Sequence, residues 1–270
     1  MKTILVSGGN SGIGLQAARE FIARSHRVVL LGRDPRKGEE ALASLKAGER
    51  ASFLSVDLST HDGVREAARK VLAEHDSFDA ILHSTGVLTM QEMRTADGLH
   101  PFFSVNYLCR YHLTQLLLPA LRKAERPRVV MMTAAVAPAD VDYQAFPEFK
   151  PFNFARMREA VQLSNHHYAA HLARTEPDFL AGVVNAGAVK TDILRMAPWF
   201  MKAGAKVAGP FIYDSVEKSA HNVVEASLRD DWQPATYWGK TGDFGRRTPI
   251  RLDDSTTQHV MAVSRDLTGA

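Results

Sequence analysis

The sequence predicts one α/β domain over residues 1–270, in which a mainly parallel sheet of about seven strands carries helices on both faces. Short β-branched, apolar segments alternate with segments of helical periodicity along the whole chain. A glycine-rich turn follows the first of these strands. The 270 residues are 45% hydrophobic and contain no linker, so they can bury one large core.

The predicted strands share a length and a composition that suit burial on both faces of a parallel sheet. They are Thr3–Val6, Arg27–Gly32, Ser52–Leu58, Phe78–Ser84, Arg128–Thr133, Leu180–Asn185 and Thr236–Gly239. Helical patterns between them include Leu15–Arg24, Gly63–Glu74, Phe103–Ala124 and Arg156–Arg174. This alternation predicts a doubly wound sheet.

The turn after the first strand predicts a dinucleotide-binding site. Glycines allow a tight turn there and let backbone N–H groups approach a pyrophosphate at the start of the next helix. The spacing of its glycines is wider than the GxGxxG of other dinucleotide-binding folds. Because a strand precedes the turn and a helix follows it, we still expect a fold of the Rossmann type. The loop residues expected to bind the cofactor are Ser7, Gly8, Asn10, Ser11, Gly12, Ile13 and Gly14.

The end of the second strand favours NADP(H) over NAD(H). Arg33 stands where NAD-binding folds place an acid that holds the ribose 2′-hydroxyl, and Asp34 follows it. A guanidinium fork suits a 2′-phosphate, and Asn10 and Ser11 could add donors. The alternative is a solvated arginine at a strand end.

Composition limits the function classes. The net charge is +3 with no long basic run, so we expect no nucleic-acid partner. Cys109 is the single cysteine, which excludes an intrachain disulfide and suits a reducing compartment. No apolar run reaches membrane-spanning length, and Met1 and Lys2 lead straight into a strand. We expect a cytoplasmic homodimer or homotetramer that acts on a small-molecule substrate and binds no metal.

Several stretches resemble one family over nearly the whole chain. The glycine spacing resembles the TGxxxGxG fingerprint of short-chain dehydrogenases/reductases, with Ser7 in place of Thr. The other similar stretches are Val56-Asp57-Leu58, Gly86 of an NNAG-like motif, Asn106 in the fourth helix, and Asn185 to Thr191, which is similar to PG-x-V-x-T. The tail from Arg265 to Gly269 resembles the retinol-dehydrogenase-like and protochlorophyllide-reductase-like branch.

This resemblance implies further site residues. In the family, the Asp-Leu pair contacts adenine, which points to Asp57 and Leu58, and the later glycine motifs point to Gly86, Gly187 and Thr191. The region about 192–215 would cap the substrate, and its Met and aromatic content suits an apolar ligand. Core or subunit packing is the alternative for that region.

The chain departs from the branch at its catalytic positions. The family uses a Ser on the fifth strand and Tyr-x-x-x-Lys on the next helix, where Tyr protonates an alkoxide and Lys lowers the pKa of that Tyr. Ala134, Arg158 and Gln162 fall at those places, and only Asn106 is kept. No tyrosine of the chain is followed four residues later by a lysine. An arginine has no titratable proton near neutral pH.

Alternatives remain open at these positions. Arg158 could bind an anionic or enolate oxygen, or it could lie on the surface of an inactive helix. Tyr143 could reach the site from a loop. A catalytic pair of Tyr143 and Lys150 is disfavoured, because the neighbouring prolines predict a loop between them. His83 reads as a strand-end histidine, and His166, His167 and His171 as a helix face rather than a zinc site.

Two function classes follow. The first is an NADP(H)-binding enzyme with a rewired site containing Asn106, Arg158, Tyr143 and Gln162, either an atypical reductase or a non-redox cyclase, isomerase or dehydratase. The second is an inactive pseudoenzyme that senses NADP(H) or binds a protein partner.

Overall fold

An eight-stranded sheet forms the centre of the protein, in the order β3-β2-β1-β4-β5-β6-β7-β8. The computed structural model describes residues 1–134, 141, 143–187, 189, 214–239 and 246–270. Its strands are β1 (Thr3–Ser7), β2 (Arg27–Gly32), β3 (Ala51–Ser55), β4 (Ala80–His83), β5 (Arg128–Thr133), β6 (Leu180–Asn185), β7 (Thr236–Trp238) and β8 (Arg247–Pro249). The first seven pair in parallel, and β8 pairs with β7 in the antiparallel sense.

Helices connect these strands. They are α1 (Gly12–Ala23), α2 (Pro35–Leu45), α3 (His61–Glu74), α4 (Pro101–Phe103), α5 (Cys109–Leu121), α6 (Phe154–Thr175), α7 (Val216–Leu228) and α8 (Asp254–Thr268). A π-helical turn, Ser104–Leu108, joins α4 to α5. Side chains cap several of these helices at their first turn, for example Asp34 at α2 and Asn153 at α6.

The sheet is buried on both faces because its strands alternate side chains between two apolar layers. Leu5 and Val29 belong to the layer under α3, α5, α6 and α8. Ile4 and Val28 belong to the layer under α1 and α7. All four side chains are at most 1% exposed, so the predicted doubly wound arrangement is confirmed.

The order of the strands reverses between β1 and β4. The chain moves from β1 outward to β2 and β3, and then returns to the other side of β1 with β4. Ser7 and His83 pair at the carboxyl ends of these two strands. Ligands of open α/β sheets bind in the crevice at such a reversal, outside the carboxyl ends of the strands.

The sequence prediction differs from the structure mainly at the sheet edge. The eighth strand, β8, was not predicted, because a three-residue Arg-Thr-Pro segment shows no alternation. The predicted helix Phe103–Ala124 begins earlier, at Pro101, and contains the π-helical turn. Within the described part of the chain, no helix combines the length and apolar character needed to cross a bilayer.

Candidate active site

A cavity of about 550 Å³ lies at the reversal of the strand order. One end is formed by the glycine loop and by the residues that follow β2 and β3. The other end is formed by the carboxyl ends of β5 and β6 and by one face of α6. The cavity is large enough for a cofactor or a drug-sized ligand.

The glycine loop fits closely around the cavity, as the sequence predicts. Gly8 has φ +74°, and a Cβ there would lie 2.8 Å from the backbone nitrogen of Thr85. A Cβ on Gly14 would lie 2.4 Å from the carbonyl oxygen of Gly8, so no larger residue fits. Ser11 precedes α1 without a side-chain cap, which leaves the first N–H groups of the helix available to an anion. Of the seven predicted loop residues, the following line the cavity: Gly8, Asn10, Ser11, Gly12, Ile13 and Gly14.

Ser7 lies behind the loop instead. It is 0% exposed and does not line the cavity. Its carbonyl oxygen accepts hydrogen bonds from the backbone N–H of Ser84, at 3.1 Å, and from the hydroxyl of Ser84, at 2.6 Å. Ser7 therefore joins the ends of β1 and β4, and the expectation that it contacts the cofactor is corrected to this supporting position.

Positive side chains gather where β2 ends. Arg33 is exposed and lines the cavity together with Lys37. Lys37 was not predicted from the sequence, because it lies in the first turn of α2 and not at the end of the strand. Asp34 also lines the cavity, but its Oδ1 accepts from the backbone N–H of Lys37 at 3.2 Å and so caps α2. Asn10 approaches from the glycine loop, and its Nδ2 lies 3.5 Å from the carbonyl oxygen of Asp34.

Asp57 and Leu58 line the same end of the cavity, after β3. The Oδ1 of Asp57 accepts from the backbone N–H of Ser59 at 3.0 Å, which holds the carboxylate at the rim. This is the wall at which the resemblance places the adenine ring.

Asn106 holds the loop that follows β4. It lies in the π-helical turn, is 5% exposed and lines the cavity with Gly86 and Val87. Its side chain bonds to both backbone polar groups of Val87. These two hydrogen bonds fix the side chain of Asn106 and the backbone of the loop relative to each other.

One face of α6 closes the other end of the cavity. Arg158 and Gln162, four residues apart, both line it, and so does Ala134 just after β5. Gln162 is 7% exposed, and Arg158 is half-buried. The structure thus brings together the residues that the sequence argument placed at the three altered positions. Thr133 adds a buried hydroxyl to the same wall, and within the described part of the chain this hydroxyl forms no hydrogen bond.

Arg110 is a residue of this wall that the sequence argument missed. It projects from α5, is 4% exposed and lines the cavity. Its Nη1 donates to the carbonyl oxygen of Met132 at 2.6 Å and to Oδ1 of Asn165 at 3.0 Å, and its Nη2 donates to the carbonyl oxygen of Thr85 at 2.9 Å. Burial lowers the pKa of Arg110 to about 10, so the guanidinium remains charged at neutral pH.

Tyr143 does not line the cavity. It is 7% exposed, its ring packs against Phe146 and His167, and its hydroxyl donates to the carbonyl oxygen of Ala160 at 3.3 Å. Burial raises the pKa of this phenol, which makes it a poorer acid. The expectation that Tyr143 reaches the substrate is corrected, because its apolar neighbours hold it in the core.

The predicted histidines are engaged elsewhere. His83 is 0% exposed, its Nε2 lies 2.9 Å from the Thr114 hydroxyl, and burial together with Arg110 lowers its pKa well below the usual value. His167 bonds to the hydroxyl of Thr257 at 2.8 Å, and the ring of His166 stacks on Tyr237. These contacts agree with a strand-end histidine and a packed helix face.

Gly187 lines the cavity after β6, with φ +73°, and a Cβ there would lie 2.2 Å from a carboxylate oxygen of Asp214. Thr191 and residues 192–213 of the predicted capping region lie outside the described residues. The residues present fit a dinucleotide, because a Cβ would fill the glycine cradle and the start of α1 has no side-chain cap. The buried hydroxyls of Thr85 and Thr133 also line the cavity and form no hydrogen bond with any residue that the structure describes.

The fold and cavity define an α/β nucleotide-cofactor protein, and comparison with known proteins places it in a family. The sequence profile of the short chain dehydrogenase family matches residues 2–145. The chain belongs to that family of NAD(P)-dependent oxidoreductases, and its similarity to the retinol-dehydrogenase-like branch is confirmed.

Two curated relatives illustrate the similarity. Retinol dehydrogenase 12 from Homo sapiens is 26% identical over 279 residues, which cover 99% of this chain and 86% of the relative. Polyprenol dehydrogenase from Homo sapiens is 25% identical over 239 residues, which cover 84% of this chain and 72% of the relative.

Solved structures agree on the fold. A protein from Mycobacterium Paratuberculosis superposes with a TM-score of 0.78 at 22% identity, covering 100% of this chain and 94% of that one. Salutaridine reductase from Papaver somniferum gives a TM-score of 0.68 at 18% identity, covering 88% of this chain and 99% of that one.

Proposed function

We propose that this protein is an NADP(H)-dependent enzyme whose substrate carries an anionic or strongly polarised oxygen held by Arg158. One observation carries the proposal: Arg158 and Gln162 line the same cavity as the glycine loop. A cofactor bound to that loop and a substrate held by α6 would therefore share one space.

The NADP(H) preference is supported by charge at the end of β2. Arg33 and Lys37 both line the cavity there, and a 2′-phosphate suits two cations. The carboxylate of Asp34 accepts from the first turn of α2, so it is a poor acceptor for the free 2′-hydroxyl of NAD(H).

The α6 wall suits an oxygen that bears negative charge. When bound, NADP(H) supplies hydride-transfer chemistry. Arg158 contributes a permanent positive charge and directional N–H donors, and Gln162 adds an amide donor one helical turn away. A carboxylate, phenolate or enolate gains more from this arrangement than a neutral ketone, whose reduction needs a proton on the alkoxide.

The first experiment separates binding from chemistry. NADPH binding is measured by fluorescence titration, and a substrate panel containing enolisable and anionic carbonyl compounds is followed by both cofactor oxidation and product identity. Product with matching NADPH oxidation indicates a reductase, whereas product without it indicates a cyclase, isomerase or dehydratase. Failure to bind NADPH would overturn the proposal.

Arg158→Gln tests the role of the arginine directly. We expect product formation to fall about 10–100-fold, as for loss of a charged hydrogen bond, while NADPH affinity stays within about twofold of the wild type. Arg156→Gln is the matched control, because Arg156 is exposed on the same helix and does not line the cavity. Equal activity in Arg158→Gln and wild type would remove the arginine from the mechanism.

The second candidate is a pseudoenzyme that binds NADP(H) as a sensor or as part of a protein surface. It is favoured by Ala134, Arg158 and Gln162 themselves, since none of them can act as a general acid near neutral pH. Tight NADPH binding without turnover of any compound in the panel would support this candidate.

A further inference from the structure

Among the described residues, the groups that bond to Arg110 carry no negative charge. All three groups that accept its hydrogen bonds are neutral, namely two backbone carbonyls and the amide oxygen of Asn165. Across the residues that the structure describes, no carboxylate forms an ion pair with Arg110. Its Nε–H is also buried, and no described residue accepts a hydrogen bond from it. A positive charge of this kind affects any ligand that enters the adjoining cavity.

Arg128, the first residue of β5, provides a contrast. It is 1% exposed and forms an ion pair with Asp230 at the amino end of β5. Arg110 bonds instead to the carbonyl of Met132 near the carboxyl end of β5. The two buried guanidinium groups thus lie near opposite ends of β5, and of the two arginines only Arg110 lines the cavity.

A dinucleotide bound at the glycine loop would place its nicotinamide half beside Arg110. A 2′-phosphate fits at Arg33 and Lys37, and a pyrophosphate fits at the start of α1. The remaining half of the molecule then extends towards β5 and α6, the wall that Arg110 and Arg158 line. The oxidised nicotinamide ring carries a positive charge, whereas the reduced ring is neutral.

We propose that Arg110 makes the cavity selective for NADPH over NADP⁺, because its buried charge repels the cationic ring and leaves the neutral ring unaffected. The inference rests on the NADP(H) binding proposed above and adds a preference for the reduced form of the cofactor. Such a site binds the reduced cofactor and releases the oxidised one, which favours reduction of the substrate.

Calorimetric titration with NADPH and with NADP⁺ tests this inference without a substrate. The ratio of the two dissociation constants is informative because both forms share the adenosine, the 2′-phosphate and the pyrophosphate. We expect wild type to bind NADPH at least about tenfold more tightly, equivalent to about 1.4 kcal/mol. Arg110→Met should reduce the ratio about three- to tenfold, and Arg110→Lys should keep it within about twofold, because lysine keeps the charge.

Arg128→Met is the matched control, since it removes a buried arginine distant from the cavity and should leave the ratio unchanged. If Arg110→Met does not fold, Arg110→Gln takes its place. If neither variant folds, the ratio of the two dissociation constants in the wild type alone tests the inference. A wild-type ratio near one, or a ratio that Arg110→Met or Arg110→Gln leaves unchanged, would overturn the inference while NADP(H) binding stands. If neither cofactor form binds, the proposed function fails and the inference fails with it.

Discussion

Asn106 and Val87 are joined by two reciprocal hydrogen bonds. The Oδ1 of Asn106 accepts from the backbone N–H of Val87 at 2.9 Å, and its Nδ2 donates to the carbonyl oxygen of Val87 at 2.9 Å. The carbonyl oxygen of Asn106 accepts from Nδ2 of Asn165 at 3.1 Å. One residue therefore connects the loop after β4 to α6, and it does so from a π-helical turn, a conformation often found at functional sites.

Asn106→Ala should loosen this connection. Two backbone groups of Val87 would lose their partners, and we expect the free energy of unfolding to fall by about 1–3 kcal/mol in urea titrations. NADPH affinity should also fall, because Gly86 and Val87 line the cavity. Asn222→Ala is the control, because Asn222 is also buried, at 2% exposed, but lies on α7 and does not line the cavity. An equal loss of NADPH affinity in both variants would contradict a specific role for Asn106.

Arg33→Asp should reverse the cofactor preference. It exchanges a cation for an anion beside the proposed 2′-phosphate, so NADPH affinity should fall by about 10–100-fold while NADH affinity changes little. Lys37→Gln should reduce NADPH affinity in the same sense, but less, since it removes charge without reversing it.

Fluorescence titration with both cofactors measures these changes. Arg36→Gln is the control, because Arg36 belongs to α2 but its side chain is 79% exposed and does not line the cavity. An equal loss of NADPH and NADH affinity in Arg33→Asp would show that the charge of Arg33 does not set the cofactor preference.

Local sequence patterns were sufficient for the seven parallel strands and for the glycine loop, but not for β8. The bounds of β2, β5 and β6 were predicted correctly, because buried parallel strands form uninterrupted apolar segments between polar ends. Arg158 and Gln162 were placed at the site by the resemblance to the family's Tyr-x-x-x-Lys helix, and their four-residue spacing explains why both line the cavity.

Features that depend on tertiary packing were not predictable. Arg110 stands within an apolar helix, and a charge at such a position is normally exposed, so its burial follows from carbonyl acceptors on three separate segments. The sequence around Tyr143 predicts a loop, but the ring of Tyr143 packs against Phe146 and His167 in the core. Lys37 reaches the cavity only because α2 begins directly at its rim.

Restoring the family's catalytic residues should produce ordinary carbonyl reduction. The triple variant Ala134→Ser, Arg158→Tyr, Gln162→Lys places a hydroxyl, a titratable phenol and a cation at the cavity wall. We expect NADPH-dependent ketone reduction to rise about 10²–10⁴-fold over the slow wild-type rate, the range of a positioned general acid. The matched control carries Arg158→Phe in place of Arg158→Tyr, which keeps the ring and removes the acid. Rapid ketone reduction by the wild type itself would contradict our account of the site.

Two buried histidines should make the protein sensitive to acid. Burial lowers the pKa of His112 and of His167 to about 4, and the side chains are 1% and 3% exposed. His61, Arg65 and Asp97 lie near His112, and His166 and Asp253 lie near His167. In the unfolded chain both imidazoles would titrate near the ordinary value of 6.5.

As the pH falls from about 6.5 to about 4, the unfolded state therefore binds protons that the folded state does not, and the free energy of unfolding decreases. Between pH 7 and pH 5 we expect a loss of about 1–2 kcal/mol for each histidine, measured by urea unfolding at both values. His112→Asn and His167→Asn should each reduce this dependence on pH. If the free energy of unfolding is the same at both pH values, or if the two buried-site variants keep the full wild-type dependence, these histidines are not the origin of acid sensitivity.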